Sequence, residues 1–244
     1  MMNRITDAVK HLIIANIIVY VLIFVVKVNF GDALALYFPE NENFGFWQFL
    51  THMFVHGGTM HLVFNMYGLW AFGTPLEQMW GRNKFLFFYF SAGLGAGLIY
   101  TLVNYYQFNG VYEQLVNIGM SSEEIQAMLI SGSYNTQILE HVSQADLSSF
   151  YGTYHTPAVG ASGAVYGVLV AFAMAFPNAK LALIFFPIPI PAKYFIPVII
   201  FGDLFFGLTK YSVGNVAHFA HIGGAIIGFI IAWYWKKNQF TRWN

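Results

Sequence analysis

Few residues in this chain could do chemistry, and they cluster at the starts of apolar runs. Gly160-Ala161-Ser162-Gly163 sets one hydroxyl among small residues just ahead of the apolar run 164–176. Taken alone, such a serine is a helix-packing residue whose hydroxyl bonds a carbonyl of the preceding turn. Ala217-His218-Phe219-Ala220-His221 opens a second run, and ionisable residues inside a membrane are costly and mark working sites. An imidazole kept from water stays neutral, the form a general base needs. With Ser162 in hydrogen-bond reach of one of these histidines, the hydroxyl could attack a carbonyl. Met60-His61-Leu62-Val63-Phe64-Asn65 opens a third run, and a spacing of four puts His61 and Asn65 on one helical face. Both can donate a hydrogen bond to the oxyanion of a tetrahedral intermediate. The plainer reading of that pair is two polar groups stitching helices together.

These residues need elements to hold them, and composition says what kind. Of 244 residues, 57% are hydrophobic and 9% charged, against about a quarter charged in ordinary soluble domains. An excess of that size does not fit one soluble core, so the chain reads as an integral membrane protein of several spans. Six segments approach the roughly 20 residues a helical crossing needs: about Leu12 to Val28, Leu62 to Met79, Phe85 to Val103, Ala158 to Phe176, Ala192 to Leu208 and Val216 to Trp235. The first is read as a retained span, since no small-residue cleavage site follows Val26. Residues 1–244 are read as a single membrane domain with an outer insert at 105–157.

Charge gives a separate check on this count. With the N-terminus inside, the inner segments hold Arg4, Lys10, Arg82, Lys84, Lys180, Lys193, Lys236, Lys237 and Arg242, leaving only Lys27 and Lys210 outside. That asymmetry puts both termini in the cytoplasm. Spans 2, 4 and 6 then all start outside, which brings His61, Asn65, Ser162 and His221 to a similar depth. Gly163 and Gly167, and Gly224 and Gly228, are each four apart, a spacing that lets spans 4 and 6 approach closely.

The first outer loop, about Asn29 to Met60, is dense in aromatics and suits the interfacial belt. In the insert, Ser121-Ser122-Glu123-Glu124 is a capping box that opens a short helix, and Ile138 to Leu147 is a candidate for another. The alternate prolines of Phe185-Phe186-Pro187-Ile188-Pro189-Ile190-Pro191 predict an extended connector into span 5.

Several function classes drop out. Zero cysteines remove disulfides and thiolate chemistry. Eleven basic residues against eleven acidic ones leave no footprint for nucleic acid. Paired glycosidase carboxylates, phosphate-binding glycine loops and a His-Glu-x-x-His zinc helix are absent from the sequence. His52 and His56 could join His61 around zinc, but no carboxylate or fourth ligand accompanies them, so neither metal nor organic cofactor is expected.

The motifs together resemble the rhomboid family of intramembrane serine proteases. Gly160-Ala161-Ser162-Gly163 resembles its nucleophile motif, and Ala220-His221-Ile222-Gly223-Gly224 its span-6 base motif, which selects His221 over His218. His61 and Asn65 resemble its span-2 pair, implicated in oxyanion stabilisation with the serine N–H. Tyr166 matches the aromatic that packs on the base, and His218 is expected to stand behind it. The resemblance implies a six-helix, all-α membrane bundle with a large first outer loop and a helical insert between spans 3 and 4. It also implies a Ser–His dyad cutting transmembrane protein substrates near the outer face of a bilayer, in a bacterial plasma membrane. Departures are Gln48 after Trp47, where many relatives carry arginine, and the length of the insert. Glu77 matches an acidic position that holds the first loop. Asp203 is read as serving a neighbouring helix, because the family works with a dyad. The rival readings are a catalytically silent relative that binds membrane clients and a small transporter; substrate and oligomeric state are not legible.

Overall fold

The computed structural model describes residues 5–183, 186–209 and 217–241, so Arg4, Lys210, Arg242, Phe185 and Val216 lie outside the described residues. The chain starts with α1 (Asp7–Phe24). The first loop follows and carries two single-turn helices, α2 (Gly31–Leu34) and α3 (Gln48–Thr51). A helical stretch then runs unbroken from Thr59 to Trp80: α4 (Thr59–Gly68), a π-helical segment Leu69–Gly73, and α5 (Thr74–Trp80). Pro75 stands in the first turn of α5, just past the π segment. A proline leaves a backbone carbonyl without its donor, and a widened turn accommodates that loss.

Gly81, at φ 81°, reverses the chain into α6 (Arg82–Asn117). At 36 residues α6 is about 54 Å long, far more than the ~30 Å of a hydrocarbon core. The third span therefore does not stop near Val103; its helix continues into the first part of the insert. There it meets α7 (Ser122–Ser131) and α8 (Gln144–His155). The capping box at α7 is present, with Ser121 accepting from the Glu124 N–H and Glu124 accepting from the Ser121 N–H. The expected helix at 138–147 is instead split. A 3₁₀ turn covers Thr136–Glu140, and α8 starts afresh behind its own cap, Ser143. Ile125, Leu129, Leu147 and Phe150 close a small core over Phe108 and Leu115 of α6, with Phe108 and Phe150 stacked at 4.1 Å.

After the insert come α9 (Ser162–Ala175), a two-stranded antiparallel hairpin of β1 (Lys180–Leu183) and β2 (Phe186–Pro191), α10 (Ala192–Leu208) and α11 (His218–Thr241). The hairpin is the one departure from an all-α reading among the described residues. The alternate prolines do exclude helix, and the extended chain they leave folds back onto β1. Asp7–Phe24, Arg82–Asn117 and His218–Asn238 are long and apolar enough to cross a membrane. At 14 residues α9 is shorter than its expected run, whereas α10, at 17 residues, has the expected bounds. Ala158 is outside α9 because it forms a backbone bridge with Leu36 of the first loop.

Helix α9 packs against α6, α10 and α11. Its contact with α11 is backbone to backbone. A Cβ on Gly224 would fall 1.8 Å from the Gly163 carbonyl oxygen, and one on Gly228 would fall 2.5 Å from Gly167 Cα. In lipid, where apolar surface alone does not drive helices together, such close approach is what holds a pair. At the opposite end Lys236 reaches the Met174 carbonyl at 3.3 Å, near the C-terminus of α9.

Glu77 does not hold the first loop. Its buried carboxylate accepts from the N–H groups of Ala8 and Val9 at 2.8 and 2.9 Å and from the Thr6 hydroxyl. It thus satisfies orphan donors at the start of α1. The loop is anchored by Gln48, fully buried, which donates to the Asn43 carbonyl at 2.7 Å and accepts from the Tyr37 N–H at 3.1 Å.

Gly224→Ala should separate α9 from α11 and lower stability by about 1–3 kcal/mol, the usual cost of overpacking. Thermal unfolding in detergent checks this; a melting temperature equal to that of the parent would contradict the packing described.

Candidate active site

Ser162 is the first residue of α9, so the opening N–H groups of that helix have no acceptor within it and face outward from its end. Its Oγ lies 2.9 Å from Nε2 of His221, in the first turn of α11. The glycine contact explains why. Ser162 adjoins Gly163 and His221 is three residues before Gly224, so the two side chains inherit the backbone approach of their helices.

Tyr166, one turn on from Ser162, stacks its ring on His221 at 4.2 Å with an interplanar angle of 12°. His61 and Asn65 come in from α4. A Cβ on Gly160 would lie 2.6 Å from His61 Nε2 and 3.7 Å from Ser162 Oγ, which brings His61 to the loop just before the serine. Gly160 also has φ 118°, so no other residue fits that position without strain. Asn65 is buried and donates one amide hydrogen to the His61 carbonyl at 3.0 Å, leaving a second hydrogen on the same nitrogen.

The group that sequence reasoning underrated is Asp203. It does bond neighbouring helices, as expected, but the groups it bonds belong to the site. One carboxylate oxygen meets Nδ1 of His218 at 2.6 Å and Nδ1 of His221 at 3.2 Å, while the other accepts from the Tyr166 hydroxyl. Topology held the missing signal. Helix α10 runs opposite to α9 and α11, so a residue near its C-terminal end shares the depth of residues at their starts. Asp203, His218 and His221 form the one group of potential metal ligands found among the described residues. Both imidazoles approach the same carboxylate oxygen at hydrogen-bonding distances, and an ion would have to displace those bonds. No such group links His52, His56 and His61 there.

The family model for the Rhomboid domain matches residues 43–131 and 125–238. The chain belongs to the rhomboid family. Among similar proteins, the mitochondrial Rhomboid protein 1 of Saccharomyces cerevisiae is 28% identical over 75% of the chain and 40% of its own length. Rhomboid protease GluP of Bacillus subtilis is 30% identical over 76% of the chain and 25% of its own length. Rhomboid protease AarA of Providencia stuartii is 27% identical over 76% of the chain and 54% of its own length. The chain therefore matches between a quarter and about half of the length of these relatives. With its long apolar helices, this rhomboid is an integral membrane protein.

The first loop abuts the site through two buried histidines. His52 bonds the Gln48 carbonyl at 2.8 Å, and its own carbonyl accepts from the Gly160 N–H at 2.9 Å. His56 lies edge-on to His61, with ring centroids 5.1 Å apart. Burial, helped by the adjacent His61, holds His56 down at about 4, and a backbone contact to Phe54 offsets only part of this. Burial lowers His52 as well. Below its ordinary value near 6.5 the unfolded chain takes up a proton at His56 that the folded chain refuses. Stability is therefore full above about pH 6.5 and falls as the pH drops toward 4, by on the order of 2 kcal/mol from this residue. Melting temperatures measured between pH 7.5 and 4 should show the decline, and His56→Phe should flatten it.

Proposed function

We propose that this rhomboid is an intramembrane serine endopeptidase. In this reading it is one six-span unit, with α4–α5, α9 and α10 crossing the bilayer beside α1, α6 and α11, and it cuts transmembrane protein substrates near their outer ends. The observation that carries the reading is the 2.9 Å contact of Ser162 Oγ with His221 Nε2 at the N-terminus of α9. Charge asymmetry supports an outward-facing site with cytoplasmic termini, and the bacterial relatives support a plasma membrane.

The chemistry follows from the geometry. A substrate helix must unwind locally, because its hydrogen-bonded backbone hides the scissile carbonyl. The Ser162 hydroxyl gives its proton to Nε2 of His221 as Oγ bonds the carbonyl carbon, and the carbonyl electron pair moves onto oxygen. That oxyanion is met by the Ser162 N–H, by the second amide hydrogen of Asn65 and by His61. His221 then passes the proton to the leaving nitrogen as the C–N bond breaks. Water, activated by the same imidazole, releases the acyl group from Ser162 and restores the hydroxyl. Each step uses protein side chains and water, so the mechanism calls for no cofactor. The silent-relative reading is the weaker one, because serine and base are both present and in contact.

A fluorophosphonate probe should label purified protein at Ser162, and Ser162→Ala should abolish both labelling and cleavage of a membrane-tethered reporter. Undiminished cleavage by Ser162→Ala would sink the proposal. Asn65→Ala should lower kcat about 10²-fold, the loss of roughly 3 kcal/mol expected for one oxyanion donor. Cleavage rates in proteoliposomes, normalised to folded protein, give the comparison.

A further inference from the structure

A carboxylate in an apolar span is tolerated only when its lone pairs are taken up, and Asp203 is met from three sides. The Tyr166 hydroxyl donates to one oxygen, and Nδ1 of His218 and Nδ1 of His221 approach the other at 2.6 and 3.2 Å. Its side chain is 10% exposed and that of His221 is 12% exposed, so little water competes for these bonds.

A carboxylate can only accept, which constrains the imidazole it faces. If Nδ1 of His221 bonds Asp203, Nδ1 carries the hydrogen, and Nε2 is left with a lone pair at 2.9 Å from the Ser162 hydroxyl. The opposite tautomer would put a lone pair against the carboxylate and a hydrogen against the serine, and could not take a proton from Oγ. Tyr166 meets the same ring in two ways. Its face stacks on His221 at 4.2 Å, and its hydroxyl holds the carboxylate that holds Nδ1. The base is thereby fixed from a helix other than its own, since Asp203 is on α10 and His221 on α11.

We propose that Asp203 is a positioning residue for His221, fixing the Nδ1–H tautomer and the ring orientation, with His218 and Tyr166 holding the carboxylate in place. The site then works as Ser162–His221–Asp203 in series, not as a dyad alone. Asp203 takes no proton itself: the proton from Ser162 rests on Nε2, and the carboxylate faces the imidazolium while it lasts. The inference rests on the protease reading for its effect on rate, and on the geometry alone for its effect on the tautomer.

Two measurements test it. Nitrogen-15 imidazole spectroscopy of the unaltered protein in bicelles should show neutral His221 with hydrogen on Nδ1 and a bare Nε2. In kinetics on a transmembrane peptide, Asp203→Asn should lower kcat at least about tenfold, with KM within about twofold and the melting temperature little changed. Loss of the carboxylate from a serine-protease triad costs up to about 10⁴-fold. Asp203→Glu should recover part of the rate. A folded Asp203→Asn protein that keeps kcat within less than tenfold of the parent overturns the proposal. So does hydrogen on Nε2 of His221 in the unaltered protein, a result that stands even if the variant fails to fold. Absence of cleavage and of probe labelling in the unaltered protein would instead defeat the protease reading, and the tautomer would still decide the role of Asp203.

Discussion

The backbone contact between α9 and α11 is the constraint on which the site depends. Gly163, Gly167, Gly224 and Gly228 let main chain touch main chain. Apolar side chains gain little by leaving lipid for one another, so this approach must come from close packing itself. Because Ser162 is next to Gly163 and His221 is one turn from Gly224, their separation is set by the helix contact and not by flexible side chains. The pair is thereby held in contact before anything binds, with little side-chain freedom left to lose.

Around that contact, three buried polar side chains tie helices and the first loop together. Glu77 takes the free N–H groups at the start of α1. Gln48 does for the first loop what an arginine would do without bringing a charge out of water. Its amide both donates and accepts, so one neutral side chain ties strands of loop running in two directions. Asp203 meets donors from α9 and α11 near the C-terminal end of α10. Polar chemistry is concentrated where helices end, because mid-helix backbone offers no spare donors or acceptors.

That rule also explains what was legible in the sequence. Ser162, His221, His61 and Asn65 could be found because each falls near the start of an apolar run, and runs that start on one side share a depth. The α9–α11 pairing was legible from glycine spacing, and α7 from its capping box. Asp203 was assigned to a neighbouring helix because the family works with a dyad; that it shares the depth of His218 and His221 appears only when the reversed direction of α10 is counted. Glu77 was given to the wrong partner because nothing local marks which of several nearby helix ends a carboxylate will cap. The length of α6 was hidden for another reason: hydropathy falls beyond Val103, but the helix persists by packing Phe108 and Leu115 into the insert.

The insert is more than a lobe hung on the outside. Phe38 of the first loop enters its core against Phe108 at 4.6 Å, and Asn41 donates to the Tyr154 carbonyl at 2.8 Å. Leu36 and Ala158 exchange backbone bonds at 2.9 and 2.8 Å, and two residues on the Gly160 N–H meets the His52 carbonyl. These bonds run in sequence from the insert through the first loop to the residue beside which His61 rests. A helix N-terminus fixes the direction of its free N–H groups but not the path of the chain that enters it. Here that path is fixed by pairing with the first loop, so the free N–H groups of α9 and the imidazole of α4 share one rigid frame. The insert, by gripping the same loop through Phe38 and Asn41, is a structural part of that frame.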